Sequence, residues 1–92
     1  MTMLTAARAE ALFTSYLSTG SSPSYHVVDA EIRRAVRTHG GVRGCAADVA
    51  SEYGDHPETA APRMRWARAL IEELYGARRA VHRSQVEFAL VA

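Results

Sequence analysis

The stretch VRGCAADVASEYGDHPETAAPRMRWARALIEELYG, residues 42–76, decides the fold. Its first part places Val42, Cys45, Ala46, Val49, Ala50 and Tyr53 at the spacing of one face of an α-helix, and Gly54 closes it. Asp55, His56, Pro57, Glu58 and Thr59 then offer two helix starts. Either Asp55 or His56 caps a helix with Pro57 in its first position, or Thr59 caps one with Pro62 in its first turn. The second helix carries an apolar stripe of Ala60, Met64, Ala67, Ile71 and Leu74, widened by Leu70, and Gly76 is its expected stop. Two helices joined by a tight turn therefore form the expected centre of an all-α domain.

Outward from that centre the pattern stays helical. Upstream, residues 4–17 combine good helix formers with Leu4, Ala7, Ala11 and Leu12, and Phe13, Tyr16 and Leu17 extend the stripe. Thr19, Gly20, Ser21, Ser22 and Pro23 make a linker, and Ser22 or Ser24 can cap the next helix. That helix sets Val28, Ile32, Ala35 and Val36 on one side and ends at Gly40 and Gly41. Downstream, residues 77–84 suit a helix, whereas the alternation of Val86, Phe88 and Leu90 would also satisfy a short strand; a helix is favoured. The expectation is a single domain over 1–92 with four to five short helices. An N-terminal helix occupies 1–19, the helix-turn-helix-like core 24–76 and a C-terminal segment 77–92.

Composition narrows the function. Ninety-two residues bury a limited core, so surfaces that meet a partner carry weight. No apolar run approaches the roughly 20 residues of a membrane span, and Arg8 and Glu10 interrupt the N-terminal stretch. A cytoplasmic protein without membrane attachment is expected. The lone Cys45 excludes an internal disulfide and lies on an apolar stripe, where a thiol acts as a small hydrophobe. His39 and His56 bracket its helix at no known metal-ligand spacing, and Asp48 with Glu52 or Glu72 with Glu73 are ordinary exposed positions. No enzyme, cofactor or metal is expected. Eleven basic residues, all arginine, face ten acidic ones, so any electropositive site must be local.

Residues 54–65, GDHPETAAPRMR, resemble the turn and second helix of helix-turn-helix DNA-binding regulators such as sigma-factor region 4 and LuxR-type proteins. Ala50 stands four positions before Gly54, where that motif places a small residue, and Thr59, Ala60 and Met64 match the threonine and core positions after the turn. The Gly40–Gly41 opening is similar to that of Fis-type regulators. Residues 37–67 are also similar to a group of small actinobacterial proteins, which implies no activity. The helix-turn-helix resemblance implies a recognition helix beginning after Gly54, with Arg65 and Arg68 facing DNA and the heads of Arg63 and Arg43 reaching phosphates. A helix starting at Pro57 would meet Pro62 in its second turn, where a kink is expected.

Two further features bear on partners. Arg78, Arg79, His82 and Arg83 form the densest basic cluster, suited to phosphate or an acidic protein surface, or else a solvated helix end. Trp66 could stack on a base or anchor an interface, with simple core packing as the alternative, and Phe88 and Leu90 offer an apolar tail for docking. Two functions follow. One is a small DNA-binding transcriptional regulator acting on duplex DNA as a homodimer. The other is a helical interaction module that docks a regulatory protein without touching DNA.

Overall fold

Local polar groups set most of the helix boundaries. The protein, described here by a computed structural model over residues 2–91, forms α1 (Met3–Phe13), α2 (Tyr25–Thr38), α3 (Val42–Asp55) and α4 (Pro57–Val91), with no strand among the described residues. The final residue of the expected C-terminal segment, Ala92, lies outside that range.

Thr2 opens α1 by accepting the Thr5 backbone N–H on Oγ1 at 3.1 Å. The helix stops at Phe13, four residues short of the expected Leu17. The hydroxyls of Thr14 and Ser15 explain this, donating back to the carbonyls of Ala11 at 2.8 Å and Leu12 at 2.6 Å. Tyr16 is consequently exposed, its ring under the Arg34 guanidinium at 4.1 Å, and Leu4 is exposed at the other end. Of the two candidate caps for α2, Ser24 acts, accepting from the Val27 N–H. Val28, Ile32 and Ala35 are buried as the stripe requires.

The end of α2 is a Schellman closure, in which Gly41 N–H bonds the Val36 carbonyl at 2.7 Å and Gly40 N–H bonds that of Arg37 at 3.4 Å. Gly40 sits at φ 75°, which a side chain would resist. This closure brings α3 back so tightly that a Cβ on Gly44 would collide with the His39 carbonyl. The inward face of α3 is rotated toward Gly44 as a result. Cys45 and Val49 are buried and Asp48 and Glu52 half-buried, while Val42, Ala50 and Tyr53, all expected inside, are exposed.

One non-helical residue, His56, links α3 to α4, and its carbonyl accepts from Thr59 and Ala60. The first of the two expected starts is thus the one used. α4 then continues through Pro62 as a single element. The carbonyl that loses its partner to the proline belongs to exposed Glu58, where water can satisfy it. Gly76 does not stop the helix either. A C-terminal glycine needs positive φ, which Gly76 lacks, and Ala77, Arg78, Arg79 and Ala80 are strong helix formers that carry the backbone onward. Residues 85–91 complete the same helix, so the fourth and fifth expected elements are one.

Ala60, Met64, Ala67, Leu70, Ile71 and Tyr75 of α4 close the core against Leu12 and Phe13 of α1 and Val28 and Ile32 of α2. Thirty-five residues at 1.5 Å each make α4 about 52 Å long. The molecule measures 55 × 25 × 22 Å, and its radius of gyration of 14.9 Å exceeds the roughly 12 Å of a compact chain this size. α4 is the spine that produces the excess.

Candidate functional site

The nucleic-acid candidates separate into two groups. Arg43 is exposed in the first turn of α3. Arg65 and Arg68 are exposed on α4, on a face that also carries Glu58 and Glu72. Arg63 has a different occupation from the expected phosphate contact. Its guanidinium donates to the carbonyls of Phe13 at 2.7 Å and Ser15 at 2.9 Å and to the Thr19 hydroxyl at 2.9 Å, lying between the rings of Phe13 and Trp66. Burial pulls its pKa below the usual arginine value. Arg63 ties off the end of α1 and the following loop. Trp66 has a structural role beside it, packed against the core with its indole N–H donated to the Ser21 carbonyl at 2.9 Å.

The second group sits where α4 outruns the rest of the fold. Beyond Tyr75 the helix projects, and all described side chains from Ala77 to Leu90 are exposed. Arg78, Arg79 and Arg83 lie here with Val81, Val86, Phe88 and Leu90, the last two 76% and 82% exposed. α1 runs antiparallel beside α4, as the pairing of Phe13 with Arg63 at one end and Arg8 with Tyr75 farther along requires. Its first turn therefore adds Leu4 and Arg8, and the two helices flank a groove of about 750 Å³ that also takes in Tyr75, Arg79, Arg83 and Val86. Next to it, sharing Arg78 and His82 with the groove, Tyr25, Leu74, Val81 and Gln85 line a smaller hollow of about 430 Å³.

The base of this projection is braced. Arg8 lies over the Tyr75 ring and Arg78 over the Tyr25 ring, each at 4.1 Å, and the two tyrosines meet edge to face at 5.0 Å. Tyr75 donates its hydroxyl to Asp29 at 2.7 Å. That bond, helped by Arg33, holds the Asp29 carboxyl below the usual aspartate range, and burial together with Asp29 pushes the Tyr75 phenol well above the usual tyrosine range.

Leu4 and Arg8 were missed from sequence as partners of the C-terminal arginines. They stand some 70 residues away, and only antiparallel packing of α1 on α4 unites them. The helical spacing of residues 4–17 predicts Leu4 on the buried stripe, which hides its availability at a surface.

Cys45 is fully buried, its thiol pushed up by burial and in contact with the Thr14 hydroxyl and the Ala35 carbonyl. Among the described residues no group of three or more histidine, cysteine or carboxylate side chains is placed to hold a metal ion. No helix of the described residues is long and apolar enough to cross a membrane. Comparison with models of known protein families, with curated proteins and with solved structures gives no match to this chain.

Proposed function

We propose that the protein is a helical interaction module that docks a regulatory protein on the projecting part of α4. The observation that carries this reading is the exposure of Val81, Val86, Phe88 and Leu90 along an α4 segment with no tertiary cover. Helices in proteins draw most of their stability from apolar packing, and a helix end with Val86 and Leu90 on one side and Val81 and Phe88 on the other, all in water, gains most when a partner supplies that packing. The braced base supports the same reading, because it presents the segment in a fixed direction. Phe88→Ser with Leu90→Ser should abolish stoichiometric capture of a protein partner from nuclease-treated extract of the native host while leaving helicity intact. Capture unchanged by the double substitution would overturn the proposal.

Binding of duplex DNA is the second reading, favoured by the exposure of Arg65 and Arg68 near the start of α4. It ranks lower on two observations. The α3–α4 link is one residue, against the three or four of a helix-turn-helix, and Glu58 and Glu72 offset the two arginines on their face. Salt-sensitive anisotropy with random duplex, lost in Arg65→Ala with Arg68→Ala, would place DNA first.

A further inference from the structure

We infer that the partner segment is an acidic amphipathic α-helix, seated in the groove between the first turn of α1 and the projecting part of α4. This rests on the docking reading and names its occupant. Leu4, 58% exposed, and Val86, 43% exposed, supply apolar contacts on the two walls, and the ring of Tyr75 lies at the inner end. Arg8, Arg79 and Arg83 stand around them, with Glu87 as the only carboxylate of the lining. Among the described residues the ion pairs are Arg33 with Asp29, Arg34 with Glu31 and His56 with Glu58. The groove arginines therefore have no carboxylate within ion-pair distance in the described chain. Arg8 is held over the Tyr75 ring at 4.1 Å, a cation–π contact that leaves its charge without a carboxylate at ion-pair distance among the described residues.

The shape selects a helix. From Tyr75 to Leu90 α4 offers a track about 22 Å long, roughly four helical turns, and the first turn of α1 supplies a second wall over its inner part. A third helix packs into such a channel at ordinary interaxial distance, with apolar residues three and four apart meeting Leu4, Val86 and Leu90. No sheet edge exists among the described residues for an extended peptide to join. Charge selects the sign. A second copy related by a twofold axis would set the same arginines against each other, a costly juxtaposition of like charges. A nucleic acid would satisfy the arginines but leave Leu4 and Val86 against phosphates and water, with no gain from their area.

The test uses the full chain and three labelled synthetic helices of roughly 18 residues, long enough to fill the track. One carries leucine at three- and four-residue spacing flanked by glutamate, the second replaces each glutamate by lysine, and the third replaces each leucine by serine. By fluorescence anisotropy the glutamate–leucine helix should bind, and weaken as salt rises from about 50 mM to about 500 mM. The lysine and serine helices should bind at least about tenfold more weakly. Arg79→Ala with Arg83→Ala should cost about tenfold, the reach of two partly screened ion pairs, whereas Arg65→Ala with Arg68→Ala should change affinity less than about twofold. Circular dichroism of both variants checks that the exposed substitutions leave the fold unchanged.

Equal, salt-insensitive binding of the glutamate and lysine helices would overturn the acidic assignment and leave the docking reading standing. So would a protein that sediments as a dimer and becomes monomeric on Leu4→Ser with Val86→Ser, since the occupant would then be a second copy. Indifference of the glutamate–leucine helix to loss of Arg79 and Arg83 would overturn the placement. Failure of all three helices on a monomeric protein would overturn the inference, and the reading beneath it falls with it only where capture of a partner is also unchanged by Phe88→Ser with Leu90→Ser.

Discussion

Gly44 is the residue on which the α2–α3 corner depends, because no side chain fits beneath the His39 carbonyl. Gly44→Ala should therefore lower stability in urea by at least about 2 kcal/mol, the cost of forcing a packed backbone contact apart. Gly54→Ala is the matched control. It lies in the same helix with open space around it, and should stabilise by about 0.5–1 kcal/mol through helix propensity alone. Equal effects at the two glycines would mean that the close approach does not govern the corner. Arg63 acts through hydrogen bonds that no isostere reproduces. Arg63→Met keeps the stem but leaves the Phe13 and Ser15 carbonyls without their donor, so a loss of about 2–3 kcal/mol is expected by chemical denaturation. Arg63→Lys should recover only part of it, since one ammonium cannot span three acceptors.

Among the elements, α4 departs furthest from what its sequence suggests. Pro62 and Gly76 are the two residues that ordinarily interrupt a helix, and both are accommodated. Pro62 faces solvent, so its steric and hydrogen-bonding costs fall on an exposed turn. Pro62→Ala should accordingly raise stability, by about 1–3 kcal/mol, measured as a shift of the urea midpoint at constant slope. A loss of stability would show that the ring makes contacts that outweigh the backbone penalty. The stripes of α2 and of the first half of α4 were legible because their period and packing partners coincide: Val28, Ile32, Ala35, Met64, Ala67 and Ile71 are all buried. The face of α3 was not, since the rotation imposed at Gly44 arises from a neighbouring helix, and periodicity alone is silent about it. An isolated glycine inside a helical pattern was the available signal. The arginines at 78, 79 and 83 were visible as a cluster, but the groove was not, because its other wall comes from the far end of the chain.

For the whole molecule, pH acts through the bracing around α2. Asp29 and Glu31 titrate below their usual values, Asp29 chiefly through the Tyr75 hydroxyl and Glu31 chiefly through Arg34. A depressed carboxylate stabilises the fold above its unfolded pKa, near 4, and loses that contribution as pH falls through the folded value. Tyr75 has the opposite sign. Its raised pKa favours the fold below the unfolded value, near 10, and the contribution disappears as pH climbs through the folded one. These groups should thus leave stability level between about pH 5 and pH 9, with losses on both sides. Tyr75→Phe should lower the plateau by about 1–2 kcal/mol through the lost bond to Asp29. It should also move the Asp29 titration, followed by carboxyl NMR, upward toward the ordinary aspartate value. An unmoved Asp29 would place the cause of its depression elsewhere.

The single residue between α3 and α4 leaves no slack, and the two rings under Arg8 and Arg78 grip α4 at the point where it leaves the core. Mechanically this is a lever with a fulcrum. The far end lies 16 residues past Tyr75, about 24 Å, so a tilt of about 10° at the fulcrum swings the tip by about 4 Å. Substitutions at Tyr25 or Asp29, which lie outside the groove lining, would then alter where Phe88 and Leu90 are held out to meet a docked partner.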